Sequence, residues 1–105
     1  MAALVKLPQR ARAGEVIEIS VMAAHPMETG FRTGLDGRLV PRNILNTFVC
    51  LYEGVEVFRA ELFPAITADP YLAFTTVATQ TGTFEFRWTD DRGEVIAERR
   101  QLIVE

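Results

Sequence analysis

The sequence predicts an all-β fold, an immunoglobulin-like antiparallel β-sandwich of about seven strands. Three observations carry that prediction. Period-2 alternation of apolar and polar residues recurs in short runs, while helical spacing fails over long windows. Those runs are rich in Val, Ile, Phe, Tyr and Thr, the residue types that fit a pleated, half-buried surface. Turn chemistry of Gly, Pro and Asp punctuates them at intervals suited to short strands of a sandwich.

The elements follow in order. Residues 4–7 make a first short strand. After a turn at Gly14, Ile17, Ile19 and Val21 alternate against Glu18, Ser20 and Met22, the mark of a strand with one face on a core and one in water. Residues 44–53 and 55–62 read as two strands joined by the tight hairpin signal Glu53-Gly54. Pro64 and Pro70 bracket a connection that cannot run on as a central strand and suits a crossing between sheets before a strand at 71–78. The clearest alternation sets Phe84, Phe86 and Trp88 against Thr83, Glu85, Arg87 and Thr89. The loop Asp90-Asp91-Arg92-Gly93 then turns the chain into a last strand at 94–104. There, one of Arg99 and Arg100 must face the core unless the strand lies at a sheet edge, where charge discourages further pairing. The two cysteines that flank a core Trp in antibody domains are absent, so the prediction concerns architecture alone.

A chain of 105 residues with 49% hydrophobic residues builds one core, so residues 1–105 are expected to form a single domain needing neither disulfide nor structural metal. One Cys, one His and one Ser cannot assemble a four-ligand Cys/His zinc site and leave few routes to a nucleophile paired with a base. No catalytic residue, metal site or cofactor is therefore predicted. With 11 basic against 14 acidic side chains there is no basic footprint for nucleic acid. No stretch approaches the ~20 apolar residues of a membrane span, and the N-terminal residues lack the continuous apolar run of a signal peptide.

One segment departs from the strand pattern. Residues 24–43, AHPMETGFRTGLDGRLVPRN, form a connection with Pro26, Gly30, Gly34, Gly37 and Pro41 that is longer than a compact domain carries without purpose. An Asp36-Gly37 turn between residues 31–33 and 39–40 would fold part of it into a projecting β-arm.

The chemistry-bearing residues each admit a structural and a functional role. His25, beside Pro26 and near Glu28, suits loop anchoring or partner contact better than catalysis, because a His base also needs a nucleophile and an orienting group. Cys50 alternates with Phe48 and Tyr52, which places it inward as a small hydrophobe; a reactive thiol, or one paired with a partner chain, requires exposure. Asp90 and Asp91 read as turn formers. If Phe48, Cys50 and Tyr52 face inward, Val49 and Leu51 face outward beside Thr47, an apolar stripe to be covered either within the domain or by a partner.

The strings HPMETG at residues 25–30 with Arg32, PRNI at 41–44, PAI at 64–66, DPY at 69–71 and WTDDRG at 88–93 stand in an order and spacing that closely resemble the SoxZ family, the Z subunits of the SoxYZ sulfur carriers of thiosulfate oxidation. The resemblance runs from about Val16 to the end of the sequence. It implies an immunoglobulin-like sandwich that pairs with SoxY as a heterodimer, SoxY bearing on a C-terminal arm the cysteine to which sulfur intermediates are attached. The sequence here closes QLIVE, without a Gly-Gly-Cys-Gly-Gly arm, so the expectation is a non-catalytic partner that presents SoxY to the thiosulfate-oxidising enzymes. Carried onto matching positions, His25, Pro26, Met27, Glu28, Thr29, Gly30, Arg32, Arg42 and Asn43 are candidates for the SoxY-facing surface, with Val49 and Leu51 added from the stripe. The same loop residues equally suit fixing the loop on its own sandwich, with Arg42 paired internally. Asp69 stands where relatives are expected to have Asn. The resemblance also implies a periplasmic location reached by export together with SoxY. Two rival expectations are a homodimer formed through the Val49 and Leu51 stripe, and a redox role for Cys50.

Overall fold

A computed structural model describes residues 3–64 and 66–105. Met1, Ala2 and Ala65 lie outside the described residues, so the first two residues of the N-terminal reading and one residue of the Pro64 to Pro70 connection are not addressed. Among the described residues eight strands form: β1 (Ala3–Lys6), β2 (Arg10–Ala11), β3 (Val16–Ala23), β4 (Leu45–Tyr52), β5 (Val55–Glu61), β6 (Tyr71–Val77), β7 (Gly82–Asp90) and β8 (Val95–Val104). They divide into a three-stranded sheet in the order β1-β3-β6 and a five-stranded sheet in the order β2-β8-β7-β4-β5. The expected all-β sandwich is present, with two refinements. The extra strand, β2, is only two residues long, and it pairs with β8 in parallel, so the larger sheet is mixed. A two-residue strand leaves no alternation to detect, which is why the sequence does not announce it.

The core lies between the sheets. Alternation sends Ile17, Ile19 and Val21 of β3 inward to meet Phe48 and Cys50 of β4 and Phe84, Phe86 and Trp88 of β7, all almost fully buried. Phe48 packs on Trp88 with ring centroids 5.0 Å apart, and Phe58 stacks on Phe74 across the two sheets at 4.3 Å. Tyr52 stacks on Phe84 at 4.2 Å, and its hydroxyl accepts the Gln80 N–H at 3.0 Å, tying the β4 end to the β6–β7 connection.

The turns behave as their chemistry predicts. The Glu53-Gly54 hairpin has both residues at positive φ, +50° and +78°, the condition of the tight turn that matches strand twist. The connection through Pro64 and Pro70 leaves the large sheet after β5 and enters the small sheet at β6. Arg99 pairs with Glu85 on the outer face, while Arg100 reaches Glu98 along the strand. Arg99 meets water by pointing outward, and Arg100 stays in reach of it because the far edge of β8 is covered by β2 only at Ile103 and Val104. The molecule is drawn out to 58 × 20 × 19 Å, and its radius of gyration of 16.0 Å exceeds the ~13 Å typical of a chain this long.

Candidate functional site

The ends of β3, β5 and β7 and the starts of β4, β6 and β8 gather at one end of the sandwich, and the 24–43 arm leaves from there. Its base is tied by several independent contacts. Glu28 and Asn43 exchange backbone hydrogen bonds, each N–H to the other's carbonyl at 2.9 Å, closing the arm like the first rung of a hairpin. Further out, Val40 N–H donates to the Arg32 carbonyl, Thr33 bridges Leu39, and Gly34 N–H donates to the Arg38 carbonyl at 2.8 Å. Gly37 turns the tip at φ +79°. The arm is thus the short hairpin that its Asp-Gly pair predicts.

His25 is buried at the root. Its Nδ1 accepts the Met27 N–H at 2.9 Å, its own N–H donates to Asp69 Oδ1 at 2.9 Å, and its carbonyl accepts the Asp69 N–H at 2.8 Å. Asp69 adopts φ +53°, a left-handed conformation that Asp and Asn tolerate because the short polar side chain bonds locally. The Asp that stands in place of the expected Asn keeps the turn, its Oδ1 accepting the His25 N–H as an amide oxygen also can. Met27 follows Pro26 at φ +53° with its side chain buried, and its sulfur accepts the Leu45 N–H. Thr29 Oγ1 accepts the Phe31 N–H, a local turn contact.

Charge is neutralised along the root. Arg32 grips both carboxylate oxygens of Glu28, with Nη2 to Oε1 at 2.7 Å, and those hydrogen bonds hold the Glu28 carboxyl below its ordinary range. Arg42 Nε donates to Asp91 Oδ2 at 2.8 Å. Asp91 also accepts from the Ile44 N–H at 3.2 Å and from Asn46 Nδ2 at 3.1 Å, while its own N–H donates to the Ile44 carbonyl. Desolvation pulls the Asp91 carboxyl up, but the hydrogen bonds from Asn46, Arg42 and the Ile44 backbone, with the Arg42 charge, bring it below its ordinary value. Gly30 lies against this pair at φ +89°, and a Cβ there would sit 3.1 Å from Arg42 Cβ. Asn43 Oδ1 is buried without a hydrogen-bond partner among the described residues.

Of the two carboxylates at the β7–β8 turn, Asp90 is the turn former that the sequence predicts, its Oδ1 accepting the N–H of Arg92 and of Glu94 at 2.9 Å. Asp91 has a second task as the far half of the arm's anchor. No local pattern reveals this, because its partners lie 45 to 49 residues away.

Beyond the root the character changes. Phe31 is 84% exposed, Leu39 64% and Leu35 fully so, and on the neighbouring β5–β6 connection Phe63 is exposed as well. Arg38 has no ion-pair partner among the described residues. Val49 and Leu51 point outward from β4, as alternation requires, and are half-buried. Val49 sits in register with Arg59 on one side and Arg87 on the other, and Leu51 with Glu56 and Glu85. The Glu85 carboxylate is paired with both Arg87 and Arg99. The half-buried stripe therefore lies among paired charges. A second apolar row, Leu4, Met22 and Tyr71, crosses the outer face of the small sheet, with Leu4 and Tyr71 exposed.

Cys50 has no exposed surface, and burial pushes its thiol up to about 12. As folded, it is protonated at neutral pH and out of reach of another chain; labelling or an inter-chain disulfide would require the core to open. Among the described residues no three His, Cys, Asp or Glu side chains converge where a metal ion could sit.

Fold and site together define an immunoglobulin-like sandwich with one arm-bearing end and a single thiol sealed in its core. The chain belongs to the SoxZ family: the family model for sulphur oxidation protein SoxZ matches residues 5–101. Comparison with curated protein sequences gives no match. Among solved structures, a superoxide reductase (neelaredoxin) from Ignicoccus hospitalis superposes with a TM-score of 0.75 at 17% identity, covering 100% of this chain and 81% of that one. A putative superoxide reductase from Thermotoga maritima gives 0.76 at 14% identity, over 98% of this chain and 85% of that one. The sulfur carrier protein SoxY from Chlorobium limicola f thiosulfatophilum gives 0.69 at 14% identity, over 100% of this chain and 80% of that one. Identities this low speak of a shared sandwich alone; family membership makes the chain a protein of a Sox sulfur-oxidation system.

Proposed function

We propose that the chain is a non-catalytic partner subunit that binds SoxY as a heterodimer and helps present SoxY's cysteine-bound sulfur intermediates to the thiosulfate-oxidising enzymes. One observation carries this reading: the only thiol is sealed in the core with its proton retained, so a sulfur adduct has to travel on another chain. Membership of the SoxZ family supports SoxY as that chain. The arm-bearing end is the surface assigned to the contact, because it projects from the sandwich on an anchored base and exposes apolar side chains beyond it. A periplasmic location, reached together with SoxY, belongs to the same proposal.

The test is native mass measurement of the chain alone and mixed with cognate SoxY, followed by intact-mass analysis of each subunit after incubation with thiosulfate and the oxidising enzymes. The reading predicts a one-to-one complex, with sulfur adducts on SoxY and none on this chain, unchanged by Cys50→Ala. No complex, or an adduct on Cys50, overturns it. A homodimer that persists when SoxY is added would favour self-association through the Val49 and Leu51 face instead.

A further inference from the structure

We infer that the arm is divided in function: the residues of its root position it, and the partner is gripped by its tip, where Phe31, Leu35 and Leu39 enter an apolar patch and Arg38 pairs with a carboxylate at the patch rim. This rests on the proposed SoxY partnership and names the part of this chain that makes the contact.

Most of the root side chains are already occupied, Asn43 Oδ1 excepted. His25 and Met27 are buried, Glu28 is held by Arg32, and Arg42 is held by Asp91. Drawing His25, Met27 or the engaged donors of Arg32 and Arg42 to a partner would first break an internal hydrogen bond, and the net gain from such an exchange is small. At the tip, nothing has to be broken. Thr33 and Leu39 form a bridged pair and therefore share a face, and Phe31 stands exposed two residues before Thr33. With Leu35 at the turn, these side chains present on the order of 400 Å² of apolar surface, at the scale of the largest patch a monomer carries and about half of what one partner contributes to a stable interface.

The charge at the tip specifies the partner further. Asp36 Oδ1 accepts the Arg38 N–H, which fixes the turn but leaves the Arg38 guanidinium free of ion pairs among the described residues. Its planar donors match a carboxylate in bidentate fashion. An apolar patch with an acidic rim is therefore the complementary surface. The Leu4, Met22 and Tyr71 row has Lys6 beside it, without an ion pair among the described residues, but lies on a sheet face and not on a projecting element, and the Val49 and Leu51 stripe lies among paired charges.

The experiment measures the affinity of cognate SoxY for the full chain and three variants, with a thermal melt of each. The triple variant Phe31→Ser, Leu35→Ser, Leu39→Ser is expected to bind at least a hundredfold more weakly at an unchanged melting temperature. Arg38→Glu is expected to bind about tenfold more weakly, with a reduced dependence on salt. Tyr71→Ser is expected to bind within threefold of the unmutated chain. Tip variants that bind like the unmutated chain overturn the inference and leave the SoxY partnership standing, as does a loss confined to Tyr71→Ser. Failure of the unmutated chain to bind SoxY overturns both.

Discussion

The root and the tip of the arm are built on opposite principles although they lie in one twenty-residue segment. At the root nearly every polar group has an internal partner, the side chains of His25 and Met27 are buried, and Arg32 and Arg42 are neutralised. At the tip large apolar side chains stand in water, and the Arg38 guanidinium has no ion pair among the described residues. The difference teaches that residues with recognisable chemistry can also hold a loop on its own sandwich, while exposed apolar side chains collect at positions with no motif value. A rigid base also lowers the entropic cost of binding, because the arm does not have to be ordered when it docks.

Substitutions of comparable size should therefore have unequal effects on stability. The largest is expected at the root, where Met27→Ala removes a buried side chain and the sulfur that accepts the Leu45 N–H, costing about 2–5 kcal/mol in denaturant unfolding. Asp91→Ala leaves the Ile44 N–H, Asn46 and Arg42 without their shared acceptor and should cost about 1–3 kcal/mol. Gly30→Ala puts a side chain at a left-handed position 3.1 Å from Arg42 Cβ, for about 1 kcal/mol or somewhat more. At the tip, Leu35→Ser should change stability by less than ~0.5 kcal/mol, since its side chain is fully exposed. A tip substitution that destabilises as much as Met27→Ala would erase the distinction.

Acid unfolding sharpens the same contrast. The Asp91 carboxyl titrates lower in the folded chain than in the unfolded one, so its contribution is present above the unfolded value near 3.8 and is lost as pH falls through the lower folded value. Stability should accordingly be flat at neutral pH and decline below about pH 4. In Asp91→Asn that decline should be shallower, as followed by fluorescence of Trp88 across a pH series.

Much of the sandwich was legible because each strand with a buried face must alternate, and because Glu53-Gly54, Asp36-Gly37 and the Pro64 and Pro70 pair have few conformations open to them. The inward set Phe48, Cys50, Tyr52, Phe84, Phe86 and Trp88 follows from parity alone. The root of the arm was legible only as a string of residues. Its ties to Asp69 and Asp91 span sequence separations of 44 to 49, and nothing local in HPMETG or PRNI distinguishes an internally paired Arg42 from one offered to a partner. At the tip, Phe31 raises the question of an uncovered loop hydrophobe from the sequence itself, whereas Leu35 and Leu39 do not stand out until the hairpin around Gly37 shows them exposed as well.

Hydrogen–deuterium exchange of the chain alone and bound to cognate SoxY tests the division of the arm most directly. In the free chain the amides of Met27, Glu28, Asn43, Ile44 and Leu45 should already be protected by their internal acceptors, while most of the tip, residues 31–39, exchanges quickly. On binding, protection should rise at the tip and change little at the root. A tip whose exchange is the same in both states, or a root as unprotected as the tip in the free chain, would contradict it.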